Sequence, residues 1–130
     1  MATLEHLMQL PGALAAFEFR GSGEVLDQRI AAQAKHILNV EILDFIAHMC
    51  AASMSIAALQ SRGWERLNQS SGFYPVQEFA LLGFDWSVVV SARQREQHKS
   101  GGNEILPPYL AVIIQNQTAS YSQSLAMLSQ

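Results

Sequence analysis

Four histidines (His6, His36, His48 and His98) and a single cysteine, Cys50, carry the most versatile chemistry in this sequence. Only His48 has the thiol nearby, and two residues apart on a helix their side chains point about 200° from each other. One face therefore cannot present both to a metal ion, and no metal site is expected. Asp44 and His48, at i and i+4, do share a face and have the chemistry of a base with its orienting carboxylate. An exposed helix pair, or a polar contact across a dimer, accounts for the same spacing. Cys50 lies within an apolar run, the setting of a buried structural thiol, and one cysteine permits no intramolecular disulfide. The segment Ser100-Gly101-Gly102-Asn103 lacks the Lys and Ser or Thr that open a helix after a phosphate loop. Gly21-Ser22-Gly23 has no third glycine and reads as a turn. No serine sits in a G-x-S-x-G elbow. Trp64, Phe73, Tyr74 and Trp86 are of a kind to line a pocket, although aromatic residues flanking strands serve equally as core. No converging catalytic set emerges, so a non-enzyme without cofactors is expected.

The charge balance narrows the partner classes. Net charge is −3, so the long-range field repels phosphate backbones. Arg93, Arg95 and Lys99 cluster in RQREQHK, but Glu96 interrupts them and no aromatic side chain is interleaved, so a solvated loop is expected and nucleic acid is not. Glu41, Asp44, Glu78 and Asp85 break the apolar stretches before the ~20 uncharged residues of a membrane span. The N-terminus lacks a basic leader and apolar block, which makes a cytoplasmic protein the expectation. With 130 residues, 49% of them hydrophobic, the chain is expected to fold as one domain over 1–130.

Patterning places these residues on elements. Thr3 caps a short helix with Leu4, Leu7, Met8 and Leu10, which Pro11-Gly12 ends. ALAAFEFR, from Ala13 to Arg20, reads as a strand with Ala13, Ala15, Phe17 and Phe19 on one side, and after the glycine turn Glu24 to Gln28 returns as a hairpin. From about Ala32 to Arg62 there is neither proline nor glycine, which predicts one long helix of roughly 45 Å. Gly63 either closes it or lies within it. VQEFALLG after Pro75 is the third strand, and Gly83 permits a tight connection. DWSVVVSAR is the fourth strand, with Trp86, Val88 and Val90 on one face. Residues 94–107 form a polar loop, Tyr109 to Gln115 a buried strand, and Thr118 or Ser120 caps a final helix.

The long helix is apolar over more than one stripe. Leu38, Ile42, Phe45, Met49, Ala52, Ile56 and Leu59 form one run at spacings of three and four, and Ile37, Val40, Leu43, Ile46, Ala47 and Cys50 spread it further. A helix lying on one sheet buries a stripe of only ~100°, so the surplus calls for a second cover, most simply another subunit. The expected dimer contact is Ile37, Val40, Asp44, Ala47, His48, Ala51 and Ser55.

The opening LEHLMQLPGALAAFEFRGSGEVL, through Leu4, Leu7, Pro11, Gly12, Ala15, Ala16, Glu18, Phe19 and Gly23, resembles the start of the roadblock (dynein light chain) family, which is related to profilin-like folds. Gly83, Asp85 and Val88 to Val90 resemble the fourth strand of an uncharacterised bacterial branch of that family. The resemblance implies an α+β fold in the order αββαβββα, with a five-stranded, mostly antiparallel sheet flanked by the long central helix and two terminal helices. It further implies a homodimer in which the long helices pack together and the third strands join the sheets. The function it implies is that of an adaptor or regulatory scaffold, with a small GTPase or a sulfur-metabolism complex as partner. The 94–107 loop departs from the family pattern. A different function class, a small-molecule sensor with a pocket lined by Phe79, Trp86 and Tyr109, is the alternative, because profilin-like sheets can hold ligands.

Overall fold

The computed structural model describes residues 3–69, 76–83, 85–92 and 108–115. They form helix α1 (Leu4–Leu7), strands β1 (Ala13–Phe19) and β2 (Val25–Ile30), a 3₁₀ turn (Ala32–Ala34), helix α2 (Val40–Asn68), and strands β3 (Glu78–Leu82), β4 (Trp86–Ala92) and β5 (Tyr109–Gln115). The expected 94–107 loop and the expected final helix fall on residues outside those described, as do Phe73, Tyr74 and His98. The strands make one antiparallel sheet in the order β2-β1-β5-β4-β3, so the fold is α+β with the expected sheet.

Local chemistry explains most boundaries. The His6 amide donates to Thr3 Oγ1 at 3.2 Å, capping α1 as expected. The long helix starts later than Ala32. Asn39 caps it, accepting from the Ile42 amide at 2.9 Å, and Ala32–Ala34 folds into the separate 3₁₀ turn. An Asn that satisfies an orphan amide outweighs the helix propensity of the alanines before it. Gly63 lies inside α2, which runs to Asn68 and ends on Gln69 in the left-handed region (φ 50).

The core has two layers. On one face of the sheet, Leu43, Ala47, Cys50, Ala51 and Met54 of α2 pack with Ala15, Phe17, Phe19, Val90 and Ile113. On the other, Leu4, Leu7 and Leu10 around α1 cover Ala13, Ala16, Val89, Val112 and Ile114. Ala13 therefore does not share a face with Ala15: a register shift between them turns Ala13 to the α1 side. α2 is long and apolar enough, by length and composition alone, to cross a membrane, but the stripe just named is spent on the sheet.

The β1–β2 turn is locked against α2. Gly23 has φ +95, and a Cβ there would lie 2.6 Å from the His48 ring and 2.9 Å from the His48 Cα. Gly23→Ala is expected to cost about 2 kcal/mol, from left-handed strain and from displacing the helix backbone. Urea titration measures it; a loss under about 0.5 kcal/mol would show that the turn is not held this way.

Candidate protein interaction surface

α2 presents opposite faces to different surroundings. Its sheet-facing side carries mostly small residues, while Ile42, Phe45, Met49, Ile56 and Leu59 stand exposed, Phe45 at 65% and Leu59 at 72%. With Ala52, also exposed, they make an apolar row along the outer face. The expected contact set is divided by this geometry. Ala47 and Ala51 are turned into the subunit's own core, and Ile37 packs half-buried against it ahead of the helix. Val40, Asp44, His48 and Ser55 remain exposed on a flank. The outward row was legible as the run of threes and fours, but both stripes are apolar, and nothing in the pattern says which one meets the sheet.

The sheet adds to the same surface. β3 is an edge strand, and its Leu81 and Leu82 are exposed at 50% and 62%. Its sequence, EFALL, has neither the lysine nor the proline that usually protects an edge. The opposite edge, β2, is treated differently. There Arg29 donates to Glu5 at 2.7 and 3.0 Å and to Asp27 at 2.7 Å. The Arg29 hydrogen bond holds the Asp27 carboxyl below its ordinary range, and a backbone hydrogen bond together with Arg29 does the same for Glu5.

Between α2 and the β3–β4 end runs an open apolar groove of about 630 Å³, lined by Met49, Cys50, Ala52, Leu81, Leu82 and Trp86 among others. Among the described residues expected to line a pocket, Trp86 lines it. Phe79 and Tyr109 pack into the core, with Tyr109 5.3 Å from the Phe19 ring.

The candidate chemical groups are otherwise engaged. His48 Nδ1 donates to the Asp44 backbone carbonyl at 2.7 Å, while the Asp44 carboxylate is 3.8 Å away, so the carboxylate does not orient the ring as a base–carboxylate pair requires. Among the described residues no three His, Cys, Asp or Glu side chains gather to hold a metal. Burial pushes the Cys50 thiol up from 9.0 to about 12, because the thiolate cannot be solvated there. A thiol raised in the folded state favours folding below the unfolded value and loses that advantage as pH climbs. Stability is thus expected to fall between about pH 9 and pH 12, measured by denaturant titration across that window. A Cys50→Ala protein with an equally steep fall would assign it to other groups.

Solved structures share this architecture. An MglB with tetrameric arrangement matches with a TM-score of 0.67 at 17% identity, over 95% of this chain and 75% of that one. The gliding protein MglB from Thermus thermophilus gives 0.64 at 18%, over 95% and 76%. A roadblock/LC7 domain from Streptomyces avermitilis gives 0.68 at 13%, over 96% and 83%. At these identities the likeness shows the fold, which is that of the roadblock proteins. No curated protein matches the sequence. Residues 3–95 match the family described as "Uncharacterized conserved protein (DUF2173)".

Proposed function

We propose that this chain, which belongs to the DUF2173 family of uncharacterized conserved proteins, is a non-enzymatic adaptor or regulatory protein of roadblock type. It works in the cytoplasm as a homodimer and binds other proteins. The observation that carries this reading is the apolar surface formed jointly by the outer row of α2 and the β3 edge, which no strand pairs among the described residues. Surfaces of that kind on a folded subunit mark an association site.

A self-complementary dimer has a two-fold axis. If the two β3 edges pair antiparallel into one continuous sheet, that axis stands normal to the sheet, and the α2 helices lying on one face run in opposite directions. The same operation therefore covers the β3 edge together with the part of the α2 row, Met49 and Ala52, that lines the groove beside it. A small GTPase is the partner class implied by the roadblock resemblance, and the solved MglB with tetrameric arrangement gives a precedent for assembly on this fold. Sedimentation of the full chain at micromolar concentration tests the first half. A dimer is expected, and a monomer at about 100 μM would remove the reading. The groove supports the second reading, a small-molecule sensor. That reading expects a ligand-dependent rise in melting temperature.

A further inference from the structure

Ile42, Phe45, Met49, Ala52, Ile56, Leu59 and Gly63 recur at alternating intervals of three and four, a seven-residue repeat sustained over three repeats. One position ahead of Ile42, Met49, Ile56 and Gly63, on a single flank of this seam, stand Glu41, His48, Ser55 and Arg62, all exposed. The opposite flank is Ile46, Ser53 and Gln60. Reversing one helix against its copy sets each flank against itself. Glu41 then faces Arg62 of the partner subunit at one end of the seam, the same pair repeats at the other end, and His48 faces Ser55 of the partner subunit between them.

Resting on the reading that a second copy covers α2, we propose that a symmetric pair of Glu41–Arg62 ion pairs selects that copy and sets the register of the helices. In this register the seam layers are Ile42 on Leu59, Phe45 on Ile56 and Met49 on Ala52, each across the two-fold. Helical side chains lean toward their own N-termini, and between antiparallel helices that lean brings Glu41 and the partner's Arg62 toward each other. The two registers one repeat away set Arg62 against the partner's His48 or Glu41 against the partner's Ser55, and neither brings the acid and the base together. A parallel pair sets Glu41 against Ile46 and gains no charge match. Opposite charges at both ends of one seam, lost when the copies are misaligned, are how such helices choose a partner.

Charge exchange tests it by sedimentation equilibrium of the full chain. Glu41→Arg and Arg62→Glu are each expected to weaken the dimer about tenfold, because every dimer carries two altered contacts, and the double variant is expected to recover to within about threefold of the parent. Single variants without effect, or a double variant as weak as the two losses combined, would overturn the pairing while the dimer itself stands. A parent chain that never dimerises would overturn the underlying reading as well. A distance readout is independent of variant stability: a nitroxide on Gln60→Cys, with the buried Cys50 left unlabelled, is expected about 28 Å from its copy. A separation near 10 Å would mean parallel helices and would overturn the register.

Discussion

Replacing Phe45 with Glu is expected to yield a folded monomer. Phe45 sits in the first half of the outer row of α2, 65% exposed in the isolated subunit, so its own fold loses little when the ring is removed. In the proposed dimer the ring is covered, and covering a phenylalanine contributes about 1.5–3 kcal/mol. Two-fold symmetry counts the loss twice and adds two carboxylates brought against an apolar seam. The dissociation constant should therefore rise at least 100-fold, corresponding to about 3 kcal/mol or more. Sedimentation velocity reads the mass directly, and far-UV circular dichroism confirms that the helix and sheet persist. The melting temperature of the parent should rise with protein concentration, and that dependence should vanish in the variant. Gln33→Glu, exposed and outside α2, adds the same charge and should leave the dimer intact. If Phe45→Glu remains dimeric at the parent's affinity, the outer row of α2 is not the contact.

Phe17→Ala should do the opposite, destabilising the subunit without touching its outer surface. Phe17 is fully buried on β1 between β2 and β5, with its ring 5.5 Å from that of Phe19. Truncation removes the ring and leaves a cavity between sheet and α2 that rigid strands on both sides can close only in part. The expected cost is about 3–5 kcal/mol, a large share of the about 5–15 kcal/mol that holds a domain together. A fall of about 10–15 °C in melting temperature follows, compared at one protein concentration. A loss below about 1 kcal/mol would mean that the layers collapse onto the site, and that the ring does not set the spacing between them.

These two phenylalanines also mark where sequence reading succeeds and where it stops. Thr3 ahead of spaced leucines, the unbroken apolar run of residues 109–114, and Trp86, Val88 and Val90 on one face were all legible, because each depends on residues a few positions apart. The surplus apolar surface of the long helix was legible too, since it needs only the periodicity of one element. The start of that helix was harder: Asn39 competes with a run of good helix formers ahead of it, and its side-chain cap decides the boundary. The bulge in β1 that parts Ala13 from Ala15 leaves no mark on the alternation at all.

By itself the sequence determined the order of the described helices and strands, the antiparallel sheet and the existence of a helix too apolar for one sheet to cover. Which stripe of that helix faces inward was decided only in three dimensions. Phe17, Phe19 and Tyr109 fill the space above the sheet, so close packing admits Ala47, Cys50 and Ala51 from the helix and turns Phe45, Ile56 and Leu59 outward. That choice rests on volumes contributed by strands far apart in the chain, which no local pattern records.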